Sequence, residues 1–216
     1  MQLKDSRLLL SPSDVTGFLA CEHLTTLSAK VAREELEKPA VENEQAELVF
    51  RTGREHEAAY LARLRAEGKE VREISLEPDL DWERAARETE EAIAAGADVV
   101  YQGVLVDSGW RGVADFLERQ ADGSYEALDT KLARHAKPAY ILQLCFYSGQ
   151  LARIQGREPA QIHVLLGNGE RGSFRPQEFS AYARRVRCRL EEFVAAGAET
   201  TPYPCDHCEI CEFLPL

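Results

Sequence analysis

The sequence has no apolar run approaching the ~20 residues that a membrane-spanning helix needs. Its first residues, Met1-Gln2-Leu3-Lys4-Asp5, also lack the basic-then-apolar layout of a secretory signal. A cytoplasmic protein is the resulting expectation. There is no excess of positive charge either: 26 Lys and Arg stand against 37 Asp and Glu, a net charge of −11. Affinity for a phosphate backbone comes mostly from Lys and Arg, so this balance argues against a protein that simply coats nucleic acid. It leaves room for an enzyme that grips DNA locally and holds metal with carboxylates. Internal repeats and low-complexity segments are absent as well. What is present is ordinary globular composition, 44% hydrophobic and 29% charged, in 216 residues, enough for one sizeable core and a small appendage.

Ser11-Pro12-Ser13-Asp14 reads as a helix start ahead of the apolar Val15, Phe18 and Leu19, with Cys21 at the end of that short helix. The acidic stretch 34–47 reads as an excursion or an exposed helix. Residues 46–66 follow a helical pattern that carries Gly53, His56, Glu57 and Tyr60 and stops at Gly68. Residues 71–76 could form a short strand, and 81–96, rich in Ala, Glu and Arg, a helix ending at Gly96. The period then changes. β-prone segments at 99–106, 110–117 and 125–131 alternate with turns at Asp107-Ser108-Gly109 and Ala121-Asp122-Gly123, which makes a meander. A buried helix after Pro138, a strand over 162–166 and an amphipathic helix over 179–194 complete the order. It predicts an α/β or α+β chain built on a central mixed sheet.

The chemistry concentrates on two strands. Residues two apart on a strand share a face, so Ala127, Asp129 and Lys131 point one way, as do Val113, Asp115 and Leu117 on the strand before. A hairpin symmetric about Asp122 sets Asp115 opposite Asp129, unless a bulge at Gly123 shifts the register by one. Directly opposed carboxylates repel at Cβ separations of about 4.5–5.5 Å. A chain that places them so close needs a cation, and Mg²⁺ or Mn²⁺ suits carboxylate and water oxygens. Lys131 could orient the attacking water and offset charge on a phosphate. An exposed Asp–Lys pair on a strand is the plainer alternative for the tripeptide alone.

Six cysteines in a reducing compartment are expected to be thiols rather than disulfides. Cys205-x-x-Cys208-x-x-Cys211 is a compact thiolate array that could close on Zn²⁺ or an iron–sulfur cluster, and its spacing alone slightly favours zinc. Cys145 and Cys188 sit in apolar helical patterns and read as core residues. Basic residues gather at Arg134, His135 and Lys137 and at Arg184, Arg185, Arg187 and Arg189; the second group is equally a DNA contact or a solvated helical face.

Gly112-Val113-Ala114-Asp115-Phe116-Leu117, followed by Tyr125-Glu126-Ala127-Leu128-Asp129-Thr130-Lys131, resembles two motifs of the RecB-like branch of the PD-(D/E)XK nucleases. Gly53-Arg54-Glu55-His56-Glu57 resembles the helical motif whose histidine binds metal, and Gln143 with Tyr147 resembles the Gln-x-x-x-Tyr motif. Cys21, far upstream of the C-terminal cysteines, resembles the split iron–sulfur staple of CRISPR-associated and helicase-linked members. The match runs in order over residues 11–213. It implies a restriction-endonuclease-like central mixed β-sheet flanked by helices, with a cysteine-stapled N- and C-terminal helical appendage. The nuclease core would span about 46–195, with the staple drawn from about 11–30 and 200–216 in a single domain.

The resemblance further implies a Mg²⁺- or Mn²⁺-dependent deoxyribonuclease acting on single-stranded or end-containing DNA, in repair, recombination or defence. Asp115, Asp129, His56 and the Thr130 carbonyl would be metal ligands, Lys131 the catalytic lysine, and Gln143 and Tyr147 positioning or DNA-contacting residues. Glu57 is left without a role. Cys21, Cys205, Cys208 and Cys211 would hold a [4Fe–4S] cluster, with Zn²⁺ as the alternative. The pattern departs from its relatives in ending soon after Cys211. The fourth ligand is then Cys205, or His207, or a residue beyond 216 in a longer protein. The alternative function is an inactive DNA-binding module of the same fold inside a helicase–nuclease assembly.

Overall fold

The computed structural model describes the whole chain except residues 5, 41–43, 78–79 and 215–216, and the side chain of residue 45. A short hairpin of β1 (Gln2–Lys4) and β2 (Arg7–Leu9) leads into α1 (Pro12–Ala20), α2 (Glu22–Ala32) and the long α3 (Glu44–Ala66). Then follow β3 (Val71–Glu73), α4 (Trp82–Ala95), β4 (Val99–Asp107), β5 (Trp110–Arg119), β6 (Tyr125–Lys131), α5 (Pro138–Gln155), β7 (Ile162–Leu166), β8 (Arg171–Phe174) and α6 (Pro176–Ala196). A short 3-10 helix, Asp206–Ile210, carries the tail cysteines. No helix among the described residues is long and apolar enough to cross a membrane.

The six strands β3 to β8 lie side by side in chain order. The meander β4-β5-β6 is antiparallel, whereas β3 joins β4 and β6 joins β7 in parallel, each across a helix. Parallel neighbours need such a crossover because a tight turn can only reverse direction. Ala85 and Ala92 of α4 and Ile141, Leu144 and Leu151 of α5 pack into the main core with the sheet. Tyr60, Leu61 and Leu64 of α3 form a second core with Tyr101, Phe116, Leu128 and Leu165. Leu144, Leu151, Phe116 and Leu128 are fully buried, each contributing about 1.5–3 kcal/mol of transfer free energy. Beyond α5, Val186, Leu190 and Val194 of α6 and Val15 and Phe18 of α1 add an outer helical layer.

The meander, α4 and β7 follow the predicted boundaries closely. α4 is capped by Asp81, whose carboxylate accepts from the Arg84 N–H at 3.1 Å. Three elements were not expected. α2 buries Thr25 and Thr26 beside Leu24 and Ala29, and threonine is a poor helix former that masks the pattern. β8 reads Arg-Gly-Ser-Phe, with no alternation of its own, and its pairing with β7 supplies the strand. The β1–β2 hairpin is likewise held by its pairing rather than by pattern. Of the acidic stretch 34–47, residues 41–43 lie outside the described residues; α3 begins at Glu44.

Cys188 corrects an expectation. It is exposed, because the buried stripe of α6 runs Val186, Leu190, Val194, and a residue two positions after Val186 points away from it. Cys145 is half-buried against the main core. The α6 arginines are partly spent within the molecule: Arg187 pairs with Glu191 at 3.0 Å and stacks over Trp110, and Arg189 reaches Glu22 at 3.6 Å.

Candidate active site

The β5–β6 register is symmetric about residue 122: Phe116 pairs with Leu128, Leu117 with Ala127, Glu118 with Glu126 and Arg119 with Tyr125. No bulge shifts it, although Gly123 does adopt φ +83°, a conformation that suits glycine in the five-residue turn. Continued by one step, that register sets Asp115 opposite Asp129. The regular ladder stops just short of this pair, and Asp115 Oδ2 instead accepts from the Thr130 N–H at 2.7 Å and the Thr130 hydroxyl at 2.8 Å. Thr130 therefore acts as a donor to Asp115, and its carbonyl remains the group proposed as a ligand.

On its other side β5 is irregular at the same point. The β4–β5 ladder pairs Tyr101 with Phe116 and Gly103 with Ala114 but omits Gln102 and Asp115 between them. Gln102 has φ +55°, an uncommon left-handed conformation for a residue other than glycine. Phe116 meets Tyr60 of α3 edge-on at 4.9 Å, while a Cβ on Gly112 would fall 2.9 Å from Tyr147 of α5. Residues four apart on a regular strand share a face. These two face opposite helices, so β5 reverses between them. The alternation expected to align Val113, Asp115 and Leu117 does not run through Asp115. Such departures cluster where side chains must be aimed at a site.

Asp129 is 1% exposed, and its Oδ2 lies 2.5 Å from Lys131 Nζ. That short ion pair is the contact Oδ2 makes with a cation among the described residues. Burial and the Asp115 charge push the Asp129 carboxyl well above the ordinary carboxylate range. Burial alone would lower the Lys131 ammonium, but Asp129 and Asp115 outweigh it and raise its pKa. Lys131 Nζ also sits 5.5 Å over the Tyr140 ring.

Glu57, to which the sequence assigned no role, joins this group. Its carboxyl is pushed up by burial and by Asp115, is drawn down by Lys131, and accepts hydrogen bonds from Tyr101 and Gln102. Three carboxylates thus share one ammonium, and the left-handed Gln102 holds the third. A carboxylate one position after the expected histidine was the available signal. His56 itself faces the backbone: its Nε2 lies 3.4 Å from the Leu165 carbonyl. Among the described residues, no group of three or more His, Cys, Asp or Glu side chains converges closely enough to hold a metal ion as it stands. The excess of buried carboxylate over ammonium charge nevertheless fits a divalent cation.

Tyr147 is 2% exposed and donates to the Val113 carbonyl at 2.7 Å, with Gln143 as a further hydrogen-bond partner. Burial and then Asp129 raise its pKa. Its hydroxyl is committed to β5, so it anchors the strand that carries Asp115. Gly112 permits this approach, since a Cβ there would fall 2.8 Å from the Pro12 ring as well as 2.9 Å from Tyr147.

At the far end of the chain the four predicted cluster ligands lie in one neighbourhood without converging on a common point. Cys21, the residue joining α1 to α2, packs with Leu24, Phe213, Cys205 and Cys211, and Cys208 Sγ lies 3.8 Å from Cys205 Sγ. His207 lies in the same short 3-10 helix.

No family model matches this chain, and no curated protein matches it. Among solved structures, one described as the crystal structure of SSO0001 aligns over 100% of this chain and 87% of that chain, with 11% identity and a TM-score of 0.43. That likeness is too slight to carry an argument.

Proposed function

We propose that this chain is a divalent-metal-dependent nuclease that hydrolyses DNA phosphodiester bonds on a restriction-endonuclease-like core. The observation that carries the reading is the crowding of buried Asp129 with Asp115 and Glu57 around the single Lys131 ammonium. A structural Asp–Lys pair would need no further carboxylates beside it, because each added buried charge is costly. Asp115, Asp129 and the Thr130 carbonyl would hold the cation, with Glu57 or a reoriented His56 completing the set. When bound, Mg²⁺ or Mn²⁺ supplies polarisation of the phosphoryl oxygen and a more acidic water. Lys131 keeps its ammonium charged through Asp129 and offsets charge that builds on the phosphate. Thr130 and Gln102 fix the two outer carboxylates, and Tyr147 holds β5 in place.

A second reading concerns the tail. Cys21, Cys205, Cys208 and Cys211 would hold a [4Fe–4S] cluster or, alternatively, a structural Zn²⁺, and metal analysis of anaerobically purified protein decides between them.

The test of the nuclease reading is degradation of end-labelled single-stranded DNA with Mg²⁺ or Mn²⁺. Cleavage is expected in the wild type and absent with EDTA, in Asp129→Ala and in Lys131→Ala. Undiminished cleavage by both variants removes these residues from the mechanism.

A further inference from the structure

Arg111 is unusual among the charged residues. It is 9% exposed, its guanidinium has no ion pair or hydrogen bond among the described residues, and its nitrogens are not sealed in but keep access to solvent. Its side-chain neighbour is the Trp82 ring, whose centroid lies 4.3 Å from the guanidinium carbon. Asp14, the nearby acid whose charge it feels, is already engaged: it pairs with the Met1 amine at 3.0 Å and accepts from the Ser11 N–H and hydroxyl, each at 2.7 Å. A guanidinium that reaches solvent only through a cavity, with no protein acceptor of its own, is free to take an anion there.

The space that anion would fill is present. A cavity of about 380 Å³ is lined by Ser11, Ser13, Trp82, Arg111, Gln143 and Tyr147, and no acidic residue is among its lining. It therefore offers a planar guanidinium fork and a side-chain amide suited to phosphate oxygens, while the Ser11 hydroxyl is spent on Asp14 and the Ser13 hydroxyl lies 2.9 Å from that of Ser11. Trp82 stacks on the guanidinium and fixes its plane. The cavity also borders the candidate centre. Tyr147 lines it while feeling the Asp129 and Asp115 charges, and Arg111 lies four residues before Asp115 on β5, about 13 Å along the strand at ~3.3 Å per residue.

We propose that this cavity is a phosphate-binding site, in which Arg111, oriented by Trp82, holds a phosphate of the nucleic-acid strand away from the scissile bond. The assignment of a strand rests on the nuclease reading; the anion chemistry of the pocket does not. Gln143 then has a binding role on the cavity side of α5, while Tyr147 supports the wall.

Trp82 supplies the readout, since it touches the guanidinium. Wild-type protein is titrated with inorganic phosphate at constant ionic strength, in EDTA, and tryptophan fluorescence is followed. A saturable change is expected, lost in Trp82→Phe and weakened roughly tenfold or more in Arg111→Met, because a charge-assisted bidentate contact is removed. Arg111→Lys, which keeps the charge but not the fork, falls between and serves if Arg111→Met does not fold. Two further arms use 5′-phosphorylated and 5′-hydroxyl single-stranded oligonucleotides. Tighter binding of the phosphorylated strand, lost in the Arg111 variant, assigns a terminal phosphate; equal binding with equal loss assigns an internal one. No saturable change in the wild type, or a change that survives in the Arg111 variant, overturns the proposal. Loss of cleavage in Asp129→Ala with no phosphate binding at Arg111 leaves the nuclease reading standing and this one refuted.

Discussion

Replacing Gly112 by alanine tests how tightly the candidate centre is packed. The new Cβ would fall 2.8 Å from the Pro12 ring and 2.9 Å from the Tyr147 ring, both rigid, so α1 and α5 must move away from β5. Overpacking of this kind costs about 1–3 kcal/mol, against which the lower entropy of the unfolded alanine chain returns about 0.4–1 kcal/mol. Gly149 is the matched control, an exposed position inside α5 where a Cβ meets nothing within 4 Å. There alanine should stabilise by about 1 kcal/mol through helix propensity. At about 2–4 °C per kcal/mol for a chain of this size, Gly112→Ala should lower the melting temperature by up to ~10 °C and Gly149→Ala raise it by ~2–4 °C. The two are compared by differential scanning fluorimetry and circular dichroism in one buffer. Gly112→Ala melting at or above the wild type would refute the close-packing argument.

Three other outcomes follow from the same geometry. Asp129→Asn should abolish metal-dependent cleavage yet raise stability in EDTA. Because burial and Asp115 raise the folded pKa of Asp129 above its unfolded value, the folded state binds the proton more tightly; stability is therefore highest at low pH and is lost as pH rises from the unfolded pKa through the folded one. Melts from pH 4 to 8 should show a gap between variant and wild type that widens with pH, and a constant gap would count against the buried charge. Tyr147→Phe removes the donor to the Val113 carbonyl and should cost about 1 kcal/mol in chemical denaturation; an unchanged midpoint would mean the bond contributes nothing. Cys188 is exposed, whereas burial pushes the Cys145 thiol up to about 11, so iodoacetamide at pH 8 should label Cys188 first by peptide mass mapping. Faster labelling of Cys145 would contradict the α5–α6 packing.

Much of this arrangement was legible from residue order. Strand alternation and the turn residues around Asp122 gave the meander and its register, because both signals are local. Capping at Asp81 and the Pro138 start marked α4 and α5 for the same reason. What was hidden depends on partners far along the chain. α2 is helical despite its threonines because it packs against α1 and α6, and β8 is a strand because β7 supplies its hydrogen bonds. The reversal of β5 at Asp115 needs Gln102 in a left-handed conformation, which nothing in that residue's identity announces. It is that reversal, with α3 alongside, that brings Glu57 rather than His56 toward the carboxylates. Arg111 reads from the sequence as one more strand residue, and only the cavity around it reveals an unpaired charge.

The most direct test of the central claim is Mn²⁺ binding followed by electron paramagnetic resonance of the free ion, in wild-type protein and in Asp129→Asn. The wild type should withdraw Mn²⁺ from solution to a saturating stoichiometry of about one or two, and Asp129→Asn should withdraw none over the same range. Equal binding by the two proteins, or none by the wild type, would contradict a divalent-cation centre at Asp115 and Asp129.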